Sequence, residues 1–327
     1  MPNAERRPVL PDAWAAAGRI PLNGPLERVP RGALFSAGMG MFGLLASFVF
    51  FQVLVAPVAL AVQVMASGGL DALQQMASPD ALLNTYTTEL IISNSVGQVL
   101  GLAAAAVALA RLHTTEAGAL LRMRGVDLRL VGGALAGLVA LTPVVQWLGQ
   151  VNQSLPLPDA LRALEQTQLQ LIAQVLNSGL GVGFNLVMLA VVPALCEELI
   201  FRGYAQRQFE RAFGAVGGIV VVGLLFGMYH VRPSQFLPLA LLGIYLAYLT
   251  WRTGSLWPAI AVHFANNAFA VAAAEYVQQH PAYDMQTVQQ MSIPWYGVLS
   301  GFVFFCGIAY VLHRYAAQRR PHSSPSS

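Results

Sequence analysis

The chain reads as an all-α protein, a polytopic membrane bundle of about eight transmembrane helices, and three observations lead to that fold class. Of its 327 residues, 56% are hydrophobic and only 10% charged, with a mean hydropathy of +0.57, well outside the range of a soluble domain of this size. Apolar stretches of about 20 residues, the length a helix needs to cross the hydrocarbon core, recur along the whole sequence. Between them the basic residues gather in alternate connections, as the positive-inside rule requires of a multi-span protein.

The elements follow in order. Residues 1–32 hold Pro2, Pro8, Pro11, Pro21, Pro25 and Pro30 with Arg6, Arg7, Arg19, Arg28 and Arg31, and lack the continuous apolar core of a cleavable signal peptide. They are expected to form a cytoplasmic tail, disordered at an anionic leaflet. Eight spans are placed at 33–66 (with a break near Pro57), 88–110, 128–149, 179–201, 215–231, 235–251, 256–274 and 295–315. Together they make one membrane domain over 33–315, followed by a second cytoplasmic tail, 316–327. The longest connections, 67–87, 150–178 and 275–294, are polar, and Leu161 to Val175 suits a short helix lying along the interface.

All 18 basic residues are arginine, and with these spans all but Arg162 and Arg232 fall on one side. Both termini are therefore expected in the cytoplasm. A net charge of +3 without a basic stripe argues against nucleic acid as a partner. The two cysteines, Cys196 and Cys306, lie on separate spans and offer neither a disulfide framework nor a zinc-finger spacing.

Function is written in the ionisable residues inside the late spans, because a charged side chain at bilayer depth costs about 2.5 to 3.5 kcal/mol on insertion scales and is by default functional. Glu197-Glu198-x-x-x-Arg202 places Glu198 and Arg202 on one helix face, acid before base, as a supporting ion pair. Glu197 is turned by about 100° from Glu198 and points elsewhere. Phe226-x-x-x-His230 follows on the next span, with Phe226 as a pocket wall. The midpoint between Glu197 and His230 is Phe213-Gly214, a turn signal, so two antiparallel helices would bring both to one depth. Arg207, Glu210 and Arg211 then require that hairpin to project out of the hydrocarbon. His263-x-x-x-Asn267 lies a short way into the seventh span, which implies a pocket reached from the cytoplasmic side.

Each residue has a plain alternative. A lone intramembrane His or Asn is often an interhelical hydrogen-bonding group, and His113, His313, His280 and His322, at span ends, in a loop and in a tail, are given no role. Two histidines, a glutamate pair and an asparagine on neighbouring spans are harder to assign to packing. A carboxylate beside an imidazole holds and deprotonates water, while a second imidazole and an amide stabilise an oxyanion. The set Glu197, His230, His263 and Asn267 supplies those groups, and the reaction class is hydrolysis of a peptide bond in or at the edge of the membrane. No Gly-x-Ser-x-Gly motif occurs, and Cys196 is read as a packing residue.

In order and spacing, these three motifs, with the flanking Phe201-Arg202-Gly203 and Gly254-Ser255-Leu256-Trp257-Pro258, resemble those of the CPBP family (CAAX protease and bacteriocin-processing, or Abi) over roughly residues 180–275. The resemblance implies an intramembrane protease in which Glu197 and His230 activate water, His263 and Asn267 form the oxyanion site, and Glu198 and Arg202 support them. It implies a membrane-tethered or lipidated peptide as substrate and a bacterial inner membrane as location. No cofactor is expected. The alternative is zinc on Glu197, His230 and His263, since the family has been described in both ways. A non-catalytic scaffold or bacteriocin-immunity role is the other reading; a proton-coupled transporter is disfavoured because the polar membrane residues concentrate in the second half, the first offering weaker candidates such as Asn94 and Gln98.

Overall fold

The computed structural model describes residues 9–11, 19–29, 32–75, 85–176, 179–280 and 292–319. Arg6, Arg7, Arg31, Arg320, His322 and most of the connection 275–294 lie outside the described residues. The molecule is a helical membrane bundle. Among the described residues, six helical runs are long and apolar enough to span a bilayer: Ala33–Ala72 (α1), Thr87–His113 (α2), Leu128–Gln153 (α3), Val182–Tyr229 (α5), Pro233–Thr253, whose α-helical part is Phe236–Thr253 (α6), and Trp295–Gln318 (α8). Asp159–Leu176 (α4) and Trp257–Gln279 (α7) complete the set of long helices.

Six runs meet that criterion where eight spans were expected, for two reasons. The expected spans 179–201 and 215–231 form the single run α5, and α7 carries His263, Asn266 and Asn267, which dilute its apolar character. The expected break near Pro57 is absent. Proline removes one hydrogen bond of the helical ladder, and α1 absorbs that loss in a widened π-type turn at Phe50–Val55, then continues through Pro57.

α5 is the element that builds the site. Its first limb, 182–213, runs well past the expected end at 201, and Gly214 then reverses the chain with φ +73°, a conformation glycine adopts without strain. The second limb, 215–229, packs back on the first, where Gly218 lies against Glu210 so closely that a Cβ would fall 2.8 Å from the Glu210 nitrogen. It then meets α6 at backbone distance: a Cβ on Gly223 would fall 2.7 Å from the Ile244 nitrogen, and one on Gly243 2.7 Å from the Gly223 oxygen. Small residues at such crossings let membrane helices approach and pack by dispersion. Phe201, Tyr204, Phe209, Phe226 and Leu246 fill the core between these elements, while Val53, Val139, Phe269 and Phe304 face outward, as lipid contact requires.

The N-terminal stretch corrects an expectation. Where described, it is ordered: a two-stranded ribbon pairs Val9–Pro11 (β1) with Arg19–Pro21 (β2), and the chain beyond it is docked, with Ile20 and Leu22 buried. Gly24 donates its N–H to the His113 carbonyl at 2.9 Å, and Thr114 Oγ1 donates to the Pro21 carbonyl at 2.6 Å. Glu27 is buried between His113 Nδ1 at 2.6 Å and Arg211, whose two guanidinium nitrogens donate at 2.8 and 3.2 Å. This strap ties the end of α2 to the tip of the α5 hairpin. Burial by itself works to raise the Glu27 pKa, but the hydrogen bonds and charges of His113 and Arg211 outweigh it and hold that pKa at about 2.

Candidate active site

Glu197 and Glu198 sit in the first limb of α5 between two widened turns, Val187–Val191 and Leu199–Ala205. Such π-type turns interrupt the regular ladder and occur often at functional sites. Glu198 is fully buried. Its Oε1 accepts from Arg202 at 2.8 Å, the expected same-face ion pair, and also from His263 Nδ1 at 2.9 Å. The second partner was not expected. Arg202, also fully buried, donates to the Gly243 carbonyl at 3.1 Å, which the close α5–α6 approach brings within reach. Its guanidinium lies over the Phe226 ring at 4.1 Å from the centroid, a favourable contact for a desolvated cation.

Phe226 is the centre of an aromatic cage. Its ring meets His230 edge-on at 4.7 Å between centroids, His263 at 5.6 Å and Phe201 at 5.3 Å. Tyr229, which the sequence did not single out, closes that cage against Phe201 and His230 and reaches Phe48 of α1.

The hairpin brings Glu197 and His230 to one depth. Glu197 Oε2 lies 3.9 Å from His230 Nε2 and 4.0 Å from His263 Nε2. The tautomers follow from the other ring nitrogens. His230 Nδ1 is 2.8 Å from the Phe226 carbonyl, which only accepts, and His263 Nδ1 is 2.9 Å from a carboxylate already paired with Arg202. Both Nδ1 atoms therefore carry hydrogen. In the neutral imidazoles both Nε2 lone pairs point toward Glu197 Oε2, which is buried and accepts no hydrogen bond from the protein. A separation of 3.9 to 4.0 Å is one that a single water, hydrogen-bonded at about 2.8 Å to each neighbour, spans.

Zinc is the other group to test here. The donors are of the right chemistry, and a carbonyl and a carboxylate on the two Nδ1 atoms are the outer partners that zinc histidines keep. Their spacing does not fit, since tetrahedral ligands at zinc distances lie about 3.3 Å apart and these lie 3.9 and 4.0 Å apart. Among the described residues no group of three His, Cys, Asp or Glu side chains has metal-holding geometry.

Asn267 lies one helical turn beyond His263, with one amide hydrogen donated to the Leu189 carbonyl at 3.2 Å and its oxygen accepting from Asn266 at 3.2 Å. Leu189 belongs to the widened turn Val187–Val191, where the ladder leaves a carbonyl available. The second Asn267 hydrogen is not consumed by that bond. Of the histidines given no role, His113 is the notable one. It is fully buried, bonded to Glu27 and, through Nε2, to Tyr204 Oη at 3.2 Å. It was not legible as a partner because Glu27 is 86 residues away. His313 accompanies Tyr248 at 3.2 Å near the α8 end.

Neither a curated protein nor a solved structure matches the chain. A family model does: residues 180–269 match that of the type II CAAX prenyl endopeptidases, Rce1-like. The matched stretch holds Glu197, Glu198, Arg202, Phe226, His230, His263 and Asn267, the residues of all three motifs, and is in this sense an Rce1-like region, similar to the CAAX proteases.

Proposed function

We propose that this membrane protein is an endopeptidase that hydrolyses a peptide bond of a membrane-associated or lipidated peptide at the Glu197 cluster. The observation that carries the reading is the convergence of two imidazole Nε2 atoms on a buried, unbonded oxygen of Glu197, within the Rce1-like region. Water bound between Glu197 Oε2 and His230 Nε2 gives a proton to Glu197 as its oxygen attacks the scissile carbonyl carbon. The carbonyl oxygen becomes an oxyanion, and Asn267 offers it the remaining amide hydrogen. His263, held through Nδ1 by Glu198, turns Nε2 to the same side, where it joins as a donor when that nitrogen carries hydrogen. Collapse of the intermediate breaks the C–N bond, and the proton held on Glu197 passes to the leaving amine. Phe226 and Arg202 fix the rings and Glu198. The site works from the cytoplasmic side of a bacterial inner membrane, with both termini in the cytoplasm.

The test is cleavage of a panel of membrane-tethered and lipidated peptides by wild type and Glu197→Gln, each with and without a zinc chelator. Loss in the variant alone supports the metal-free assignment. Loss with chelator as well transfers Glu197, His230 and His263 to a zinc site. Cleavage that survives in Glu197→Gln overturns the reading, and no cleavage by wild type across the panel turns it to a scaffold or bacteriocin-immunity protein.

A further inference from the structure

The turn that follows His230 holds a conformation its own sequence disfavours. Val231 has φ +50°, a region that a β-branched residue almost never occupies, and such strain persists only where surroundings over-determine it. Those surroundings come from two residues that precede the Rce1-like region. Asn152, buried at the end of α3, donates Nδ2–H to the Pro233 carbonyl at 2.9 Å and accepts from the Leu237 N–H at 2.8 Å, so one side chain clasps both ends of residues 233–237. Glu165, on α4, is only 5% exposed on a helix that otherwise shows much of its surface. It accepts from the Ser234 hydroxyl and, at 3.4 Å, from the Ser234 N–H. The same carboxylate also interacts electrostatically with the Arg232 guanidinium, so Glu165 engages two residues of the turn.

We infer that Glu165 and Asn152 are positioning residues for His230, which lock the strained 231–234 turn and so aim His230 Nε2 at Glu197. The inference rests on the proposed role of His230. It follows from connectivity: His230 is the last residue before the strained peptide, and among the described residues its ring has one hydrogen bond, to its own helix at Phe226. α5 itself holds the near side, where the Val231 N–H donates to the Met228 carbonyl at 3.0 Å, while the far side, 233–237, is held from outside α5. α3 and α4 supply that restraint, which gives a region outside the family match a direct part in the site's geometry.

Two readouts test it. Kinetics compares Glu165→Ala, Ser234→Ala, Asn152→Ala and His230→Ala with wild type. Glu165→Ala should lower kcat about 10- to 100-fold, the cost of a misplacement near 1 Å, with KM little changed. Combined with His230→Ala it should cost nothing further, because both act through one side chain. Glu165→Gln, which keeps an acceptor oxygen, should recover most of the rate. The second readout needs no cleavage: carbethoxylation of His230 by diethylpyrocarbonate, followed by mass spectrometry, should accelerate several-fold in Glu165→Ala and Ser234→Ala, with the exposed His280 as internal reference. Losses that add to those of His230→Ala, or a His230 labelling rate unchanged in both variants, would overturn the inference. If wild type cleaves nothing, the proposed function fails while the labelling rates still decide the positioning.

Discussion

Glu27 and Glu197 are both buried carboxylates that meet histidine, with arginine nearby, and the protein finishes them in opposite ways. Around Glu27 every valence is closed: His113 and Arg211 bond its two oxygens, and the other nitrogen of His113 is taken by Tyr204. Around Glu197 the histidines turn their bonded nitrogens outward, to Phe226 and Glu198, and leave two Nε2 atoms and one oxygen facing each other without a bond between them. The first arrangement is a clasp. The second can take up a water or a proton, which is what a catalytic base requires. Residue type does not separate them; the direction in which each imidazole spends its N–H does.

The sharpest way to break this comparison is to neutralise each carboxylate in turn. Glu197→Gln should cut turnover by about 10²- to 10⁴-fold, the range of a lost general base, with a thermal midpoint close to wild type because the removed oxygen has no protein partner. A midpoint that falls with the rate would make Glu197 a structural residue instead. Next in size is Glu198→Ala. It leaves the buried Arg202 guanidinium without its carboxylate, and breaking such a pair costs about 3 to 5 kcal/mol, read as reduced stability to denaturant together with lost activity. Third, Glu27→Ala should destabilise by about 2 to 3 kcal/mol, the scale of lost charged hydrogen bonds, while the folded fraction keeps its turnover. A Glu27 variant that folds normally yet has lost turnover would erase the distinction between clasp and site.

Much of this was legible in the sequence, and the parts that were not share one cause. The apolar segments, the reversal at Phe213-Gly214 and the alignment of Glu197 with His230 all follow from local pattern and helix rise, so counting residues was enough. Glu198 with Arg202 was legible for the same reason, being four apart on one helix. What escaped was contact at long range. Ile20 and Leu22 look like part of a disordered tail because the proline and arginine around them dominate composition, yet they dock on residues about 90 positions away. Glu198 with His263 spans 65 residues and Glu165 with Ser234 spans 69, and no periodicity encodes either. The uninterrupted α1 at Pro57 escaped differently: proline's usual effect is a break, and a π-type turn is one of the few ways a helix avoids it.

The smallest effect is the most specific to the clasp. Glu27 would titrate near 4.5 in an unfolded chain and is held at about 2 in the fold, where the bonds from His113 and Arg211 overcome a burial that alone would raise it. A depressed carboxyl pKa contributes stability that is complete above its unfolded value and is lost as pH falls toward its folded one. Between about pH 5 and about pH 3, then, the wild-type unfolding midpoint in detergent should fall more steeply than that of Glu27→Gln, and the gap between the two should narrow. A gap that stays constant across that interval would mean the strap is held by Ile20 and Leu22 alone, with the ion pair contributing nothing. A narrowing gap would assign that part of the acid sensitivity to a buried acid outside the candidate site, held by His113 and Arg211.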